Sequence, residues 1–246
     1  ASVRSQLALF RAQPDVPEDL FASGHWSAEI YERCRRRLTM TVDELDGHLS
    51  AVYPGGKLRE PAFWRDERFN TPAQPVVGGC WYEARAYCAW LSAQAGQYYR
   101  LPSEVEHEAA QRGTCGRRWA FGNEFEARSA NTLETRLKRT SAVGVFVEGD
   151  TPEGASDLCG NVIEWTASPW SPHLDVARNR SRSTADTMRD EALADTETQW
   201  VARGGAWDFA RNVTRAAYRA HYAPDFRFDN HGFRVCAPRP LRRLSQ

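Results

Sequence analysis

Residues 203–235 read RGGAWDFARNVTRAAYRAHYAPDFRFDNHGFRV, and their reading decides the fold. The stretch opens on Arg-Gly-Gly-Ala-Trp and closes on Gly-Phe-Arg-Val, with Arg215, Arg219 and Arg227 between. Glycines permit positive φ or close chain approach, and a guanidinium fork can satisfy several loop carbonyls at once. An irregular, loop-rich fold needs both, because its loops cannot satisfy their own backbone groups. Between those fixed points stand Asp208, Phe209, Ala210, Thr214, Tyr218, His221, Tyr222, Phe226, Phe228, Asp229, Asn230 and His231. Aromatic rings bring large contact area at low conformational cost, and Asn and Asp bring adaptable hydrogen bonding. We expect these side chains to line one exposed face that contacts a protein or other ligand. Residues 208–231 contain no Lys, Glu, Gln, Met or Trp, although those types occur elsewhere in the chain.

The rest of the chain bounds the class. A length of 246 residues with 41% apolar content and nine Trp supports a packed core in a single domain. Lys plus Arg equals Asp plus Glu at 32 each, which argues against a nucleic-acid binder. No apolar run approaches the roughly 18 residues of a membrane span. The start, ASVRSQLALFRAQPDVPEDL, shows no basic-then-apolar secretory pattern, so we expect a cytoplasmic location, with room for further domains upstream. Cys34, Cys80, Cys88, Cys115, Cys159 and Cys236 lie scattered without a C-x-x-C pair, which reads as free thiols rather than a disulfide framework or zinc module.

Residues 15–49 read as helical, with Ser23 and Thr41 as caps. Residues 53–77 read as an ordered loop rich in Pro, Gly and aromatics. Residues 81–95, WYEARAYCAWLSAQA, form an amphipathic helix with Trp81, Ala84, Tyr87, Cys88 and Leu91 on the buried face, stopped at Gly96. Ser103 caps a further helix, with Glu106 completing the capping box and Gly113 ending it. Beyond it regular structure thins to short strands at 143–147 and 162–165, and residues 169–198 read as a long surface excursion.

Four blocks, PVVGGCWYEARAYCAWL (75–91), YRLPSEVEHEAAQRG (99–113), GASDLCGNVIEWTAS (154–168) and the 203–235 stretch, together resemble the formylglycine-generating-enzyme-like family. The resemblance implies an α+β, C-type-lectin-like fold with few short strands, two main helices and much irregular loop. In the family's aerobic enzymes two cysteines follow the RGG motif, bind copper and oxidise a substrate cysteine. Those positions are Phe209 and Thr214 here, and neither side chain supplies a thiolate or a soft copper ligand. The resemblance therefore implies a protein without that activity and without copper. Other relatives use iron held by histidines, but His25, His48, His107, His173, His221 and His231 form no HxxxH pair, and no other catalytic constellation stands out.

The family also binds calcium beside its G-N-V-x-E-W turn. The resemblance implies Asp157 and Glu164 as side-chain ligands, with the carbonyls of Gly160 and Val162, and a second site at Asn131. The alternative is that Asp157 caps the turn, Asn161 holds its backbone, and Glu164 pairs with an arginine. One branch of the family consists of variable proteins of diversity-generating retroelements, in which adenine-directed mutagenesis rewrites AAY codons of a C-terminal segment. Such codons cannot become Lys, Glu, Gln, Met or Trp, the restriction that residues 208–231 obey. Three readings stand open: a retroelement-diversified binding protein, a generic binding domain on this scaffold, and an oxidoreductase of the formylglycine-generating or a related type.

Overall fold

A computed structural model describes residues 11, 14–22, 28–52, 60–172 and 198–237. Local chemistry starts and stops its helices. Helix α1 (Asp15–Ala22) and α2 (Ala28–Thr39) are joined by stacked Phe21 and Tyr31 rings, 4.6 Å apart. Helix α3 (Val42–Val52) begins at a capping box in which the Thr41 hydroxyl accepts the Glu44 N–H at 3.2 Å and the Glu44 carboxylate accepts the Thr41 N–H at 2.9 Å. Helix α4 (Trp81–Ala95) ends at Gly96, whose φ of 64° lies in the left-handed region. Helix α5 (Glu104–Arg112) is capped by Ser103 and Glu106 and closed at Gly113. The Ser23 cap, residues 53–59 and most of the 169–198 excursion lie outside the described residues.

Four short strands form one sheet in the order β3-β2-β1-β4. Strand β1 (Ile163–Pro169) pairs antiparallel with β2 (Trp200–Arg203) and parallel with β4 (His231–Phe233), and β3 (Ala220–Tyr222) pairs antiparallel with β2. Residues 143–147, expected as a strand, instead form a turn leading into a 3₁₀ turn at Val147–Gly149, with Val143, Val145 and Val147 exposed. No neighbouring strand covers them, and isolated β-branched residues do not make a sheet on their own.

The core lies where α4 crosses the sheet. Trp81 of α4 stacks on Trp200 of β2 at 3.6 Å, with Ile163, Trp165, Ala202, Phe209 and Phe226 packed around them. Two of the buried indoles find polar partners, Trp81 donating to the Thr166 carbonyl at 2.9 Å and Trp165 to the Gly79 carbonyl at 3.3 Å, while the buried Trp200 Nε1 has none among the described residues. The buried face of α4 is Trp81, Ala84 and Cys88. Tyr87, expected on that face, stays 44% exposed and meets Phe233 edge-on at 5.5 Å. Leu91 is only half-buried.

Candidate functional site

Arginines organise the region around residues 203–235. The carboxylates of α5 each hold a guanidinium from elsewhere in the chain. Glu104, 2% exposed, takes both nitrogens of Arg219 at 2.7 and 2.9 Å. Glu106 clasps Arg100 through two contacts of 2.6 Å, and Glu108 pairs with the fully buried Arg203. Arg203 also donates to the Tyr218 carbonyl at 2.6 Å. Bidentate, charge-assisted contacts of this kind fix orientation as well as position. Gly205, with φ 73°, passes so close to Thr214 that a Cβ there would lie 2.5 Å from Thr214 Cγ2.

Glu164 on β1 holds the next charge. It accepts from Arg234 at 2.5 and 2.7 Å and from His107 Nε2 at 3.0 Å, while Arg234 also donates to the carbonyls of Ser156 and Asp157 at 3.2 Å each. Burial alone would raise the Glu164 carboxyl, but the Arg234 charge and the hydrogen bonds from His107 and Arg234 outweigh it and bring it down to about 2. Ionised Glu164 is an acceptor only, so His107 carries its proton on Nε2. Burial pushes His107 below the ordinary histidine range despite Glu164 beside it.

These contacts bear on the calcium expectation. Both Glu164 oxygens serve Arg234 and His107, so in this structure the positive charge beside the turn at Asp157, Gly160 and Val162 is the Arg234 guanidinium, as in the alternative of an arginine pair. Asp157, at φ 53°, accepts the Gly144 N–H at 2.6 Å, and Asn161 joins its turn to the Ser141 backbone at 2.9 Å. At Asn131, expected at a second site, the amide donates to Arg139, Ser141 and Asn161, and Oδ1 accepts the Thr135 hydroxyl at 3.1 Å. Among the described residues no three His, Cys, Asp or Glu side chains gather into a metal-holding group.

The single exposed face is also corrected. Asp208, Phe209, Thr214, Phe226, Asp229, Asn230 and His231 are buried, Phe209 and Phe226 at 6% and Thr214 at 0% exposure. Phe209 and Phe226 belong to the main core cluster. Three of the polar members bond one another inside: Asn230 donates to both oxygens of Asp208 at 2.9 and 3.1 Å, and His231 Nδ1 lies 2.7 Å from Asn230 Oδ1. Short polar groups that bond one another can be buried at little cost, and aromatic rings gain by leaving water. Ala210, Tyr218, Tyr222 and Phe228 are half-buried, and His221 is exposed. Tyr222, Phe226 and Phe228 form one run of stacked rings, with centroids 4.7 and 4.2 Å apart. Arg37 of α2 lies over Phe228 at 5.6 Å. Beside this ridge, exposed His221 stacks on Trp170 at 4.0 Å, and Arg219 lies over the other ring system at 4.4 Å from the Trp170 centroid.

The cysteines are poorly placed for redox chemistry. Cys159 is buried and its thiol is pushed up to about 12 by desolvation, and Cys236 likewise to about 11. None of the six cysteines is in a disulfide.

A small four-stranded sheet braced by arginine-pinned loops places the molecule among irregular α+β domains of the lectin-like kind. Residues 28–238 match the sulfatase-modifying factor enzyme 1-like domain, and the chain belongs to that family. It is 33% identical over 198 residues to the inactive Cα-formylglycine-generating enzyme 2 of Bos taurus, a match covering 72% of this chain and 56% of that protein. It is 28% identical over 179 residues to the hercynine oxygenase of Mycolicibacterium thermoresistibile, covering 66% of this chain and 37% of that enzyme. The chain thus spans between about a third and just over half the length of these relatives. In fold it is similar to Treponema denticola variable protein 1, with a TM-score of 0.56 at 20% identity, over 77% of this chain and 80% of the other. No helix among the described residues is long and apolar enough to cross a membrane.

Proposed function

We propose that this domain is a non-catalytic recognition module that holds a protein or other ligand on the ridge formed by Tyr218, His221, Tyr222 and Phe228. The observation that supports it best is the packing of Phe209 and Thr214. These residues stand where the family's copper cysteines fall, one inside the aromatic core and the other wedged under Gly205. Neither supplies a thiolate or a soft copper ligand, and both are packed in the interior. The likeness to an inactive Cα-formylglycine-generating enzyme 2 of the same family supports this reading.

Retroelement diversification belongs to this proposal only in a narrowed form. Replacing Asp208, Phe226 or Asn230 at random would break the core, so variation would be confined to Ala210, Tyr218, His221, Tyr222 and Phe228. The coding DNA tests it. A neighbouring reverse transcriptase and a near-copy of the 203–235 coding sequence differing at adenines support diversification, whereas codons varying like the rest of the gene remove it. Incubating the protein with copper and a cysteine-containing peptide tests the oxidoreductase alternative. Formylglycine in the product would overturn the non-catalytic reading.

A further inference from the structure

We infer that a cavity lined by residues 121–124, 126, 128, 129 and 148 binds a cationic group on an apolar stem, the chemistry of a lysine or arginine side chain. The cavity measures about 560 Å³ and opens to solvent. One wall is Phe121, whose ring lies parallel to Trp119 at 6.5 Å and tilted against Phe125 at 6.1 Å. Trp119 is itself anchored, 5% exposed, with its indole N–H on the Arg211 carbonyl at 3.1 Å. The aromatic wall is therefore anchored through Trp119, and Phe121 lines the opening. A cation above an aromatic face is attracted by the ring's quadrupole.

Charge points the same way. Glu124, Glu126 and Glu148 line the cavity against one basic side chain, Arg128, an excess of two negative charges. Arg128 Nε lies 2.7 Å from Glu126 and 2.9 Å from Glu148, so this carboxylate pair already accommodates a guanidinium. Arg128 is 70% exposed, on the single turn Ala127–Ser129, so its pairs with Glu126 and Glu148 lie in solvent and a competing cation can displace it. Glu124 makes no ion pair among the described residues and supplies the remaining charge. Deeper in, Ser129 is only 7% exposed, and its hydroxyl takes no partner among the described residues. An ammonium or guanidinium would meet a carboxylate, a hydroxyl and a ring face together, and its methylenes would lie along Phe121.

The test titrates the protein with Nα-acetyl-lysine methylamide, Nα-acetyl-arginine methylamide and the uncharged norleucine analogue, following tryptophan fluorescence and the amide shifts of residues 119–129. The cationic probes should saturate with a Kd of about 1 mM or tighter and bind at least tenfold better than norleucine. Glu124→Gln should weaken them several-fold. Arg128→Ala removes the resident guanidinium and should tighten them several-fold, an outcome that a purely structural role for the Glu126–Arg128–Glu148 group does not give. Equal binding of norleucine, no saturation, or weaker binding in Arg128→Ala would overturn the inference. Butylammonium separates the sources. Weaker binding than the capped residues assigns the site to a polypeptide side chain, and equal binding assigns it to small amines. The cavity lies apart from the Tyr218–Phe228 ridge, so either proposal can fail alone.

Discussion

Glu164 shows how a single buried charge sets the behaviour of this domain. Its carboxyl sits at about 2 in the folded protein, against 4.5 for an ordinary glutamate. A depressed carboxylate adds stability above its unfolded value and loses it as pH falls toward the folded value. The size of this depression corresponds to on the order of 3 kcal/mol at neutral pH. His107 acts in the same direction, since its folded value lies below the unfolded 6.5 and acid favours the unfolded, protonated form. Urea unfolding at pH 7, 6, 5, 4 and 3 should therefore show stability falling throughout, with His107→Phe flattening the upper part and Glu164→Gln the lower part. A wild-type profile flat between pH 7 and 3 would sink this account. The aromatic positions make a second residue-scale prediction. Phe209→Ala and Phe226→Ala should each cost roughly 3–5 kcal/mol, as core phenylalanines do, while exposed His221→Ala should stay within about 0.5 kcal/mol. Composition announced a surface here, and it misled, because Asp208, Asn230 and His231 bond one another inside. Short polar residues look alike in a sequence whether they face water or each other.

At the scale of elements, helix α5 carries the cross-links. Its caps at Ser103 and Gly113 were legible, because N-terminal hydroxyl and C-terminal glycine signals are local. So were the bounds of α4 and the general role of Arg100, Arg203 and Arg234 as pins. Which carboxylate each arginine meets was not legible, because the pairs join residues as far apart as Glu104 and Arg219. The buried face of α4 was half legible: Trp81, Ala84 and Cys88 follow from helical spacing. Tyr87 instead lies at the edge of that face, where its ring meets Phe233 and Trp90, itself exposed. The pinning pairs differ in depth, and that difference is testable. Glu104→Gln leaves the Arg219 guanidinium, 14% exposed, without its partner and should cost about 3–5 kcal/mol. Glu106 is 47% exposed, so Glu106→Gln should cost no more than about 1 kcal/mol from its ion pair. Equal losses in the two variants, measured by chemical unfolding, would show that depth does not govern these pairs.

Across the whole molecule, the last strand closes what the first elements begin. Strand β4 lies parallel to β1 at the sheet's edge, and Cys236 exchanges backbone hydrogen bonds with Arg100 at 2.8 and 3.0 Å. The His231 carbonyl accepts from Gly78, just ahead of α4, and Pro224 accepts from the first residue of that helix. Arg234, the residue just after β4, neutralises Glu164. The 203–235 stretch is therefore structural frame first, with its recognition ridge a narrow strip on top of that frame. Such closure makes folding non-local, because the main core cannot form until the C-terminal residues arrive. A chain ending after residue 230 should lose the β4 pairing and leave Glu164 with a buried, uncompensated charge. It should show no cooperative unfolding transition and rapid proteolysis across α4 and α5. A truncated chain that melts cooperatively near the full-length midpoint would mean that β4 only decorates a core already complete without it.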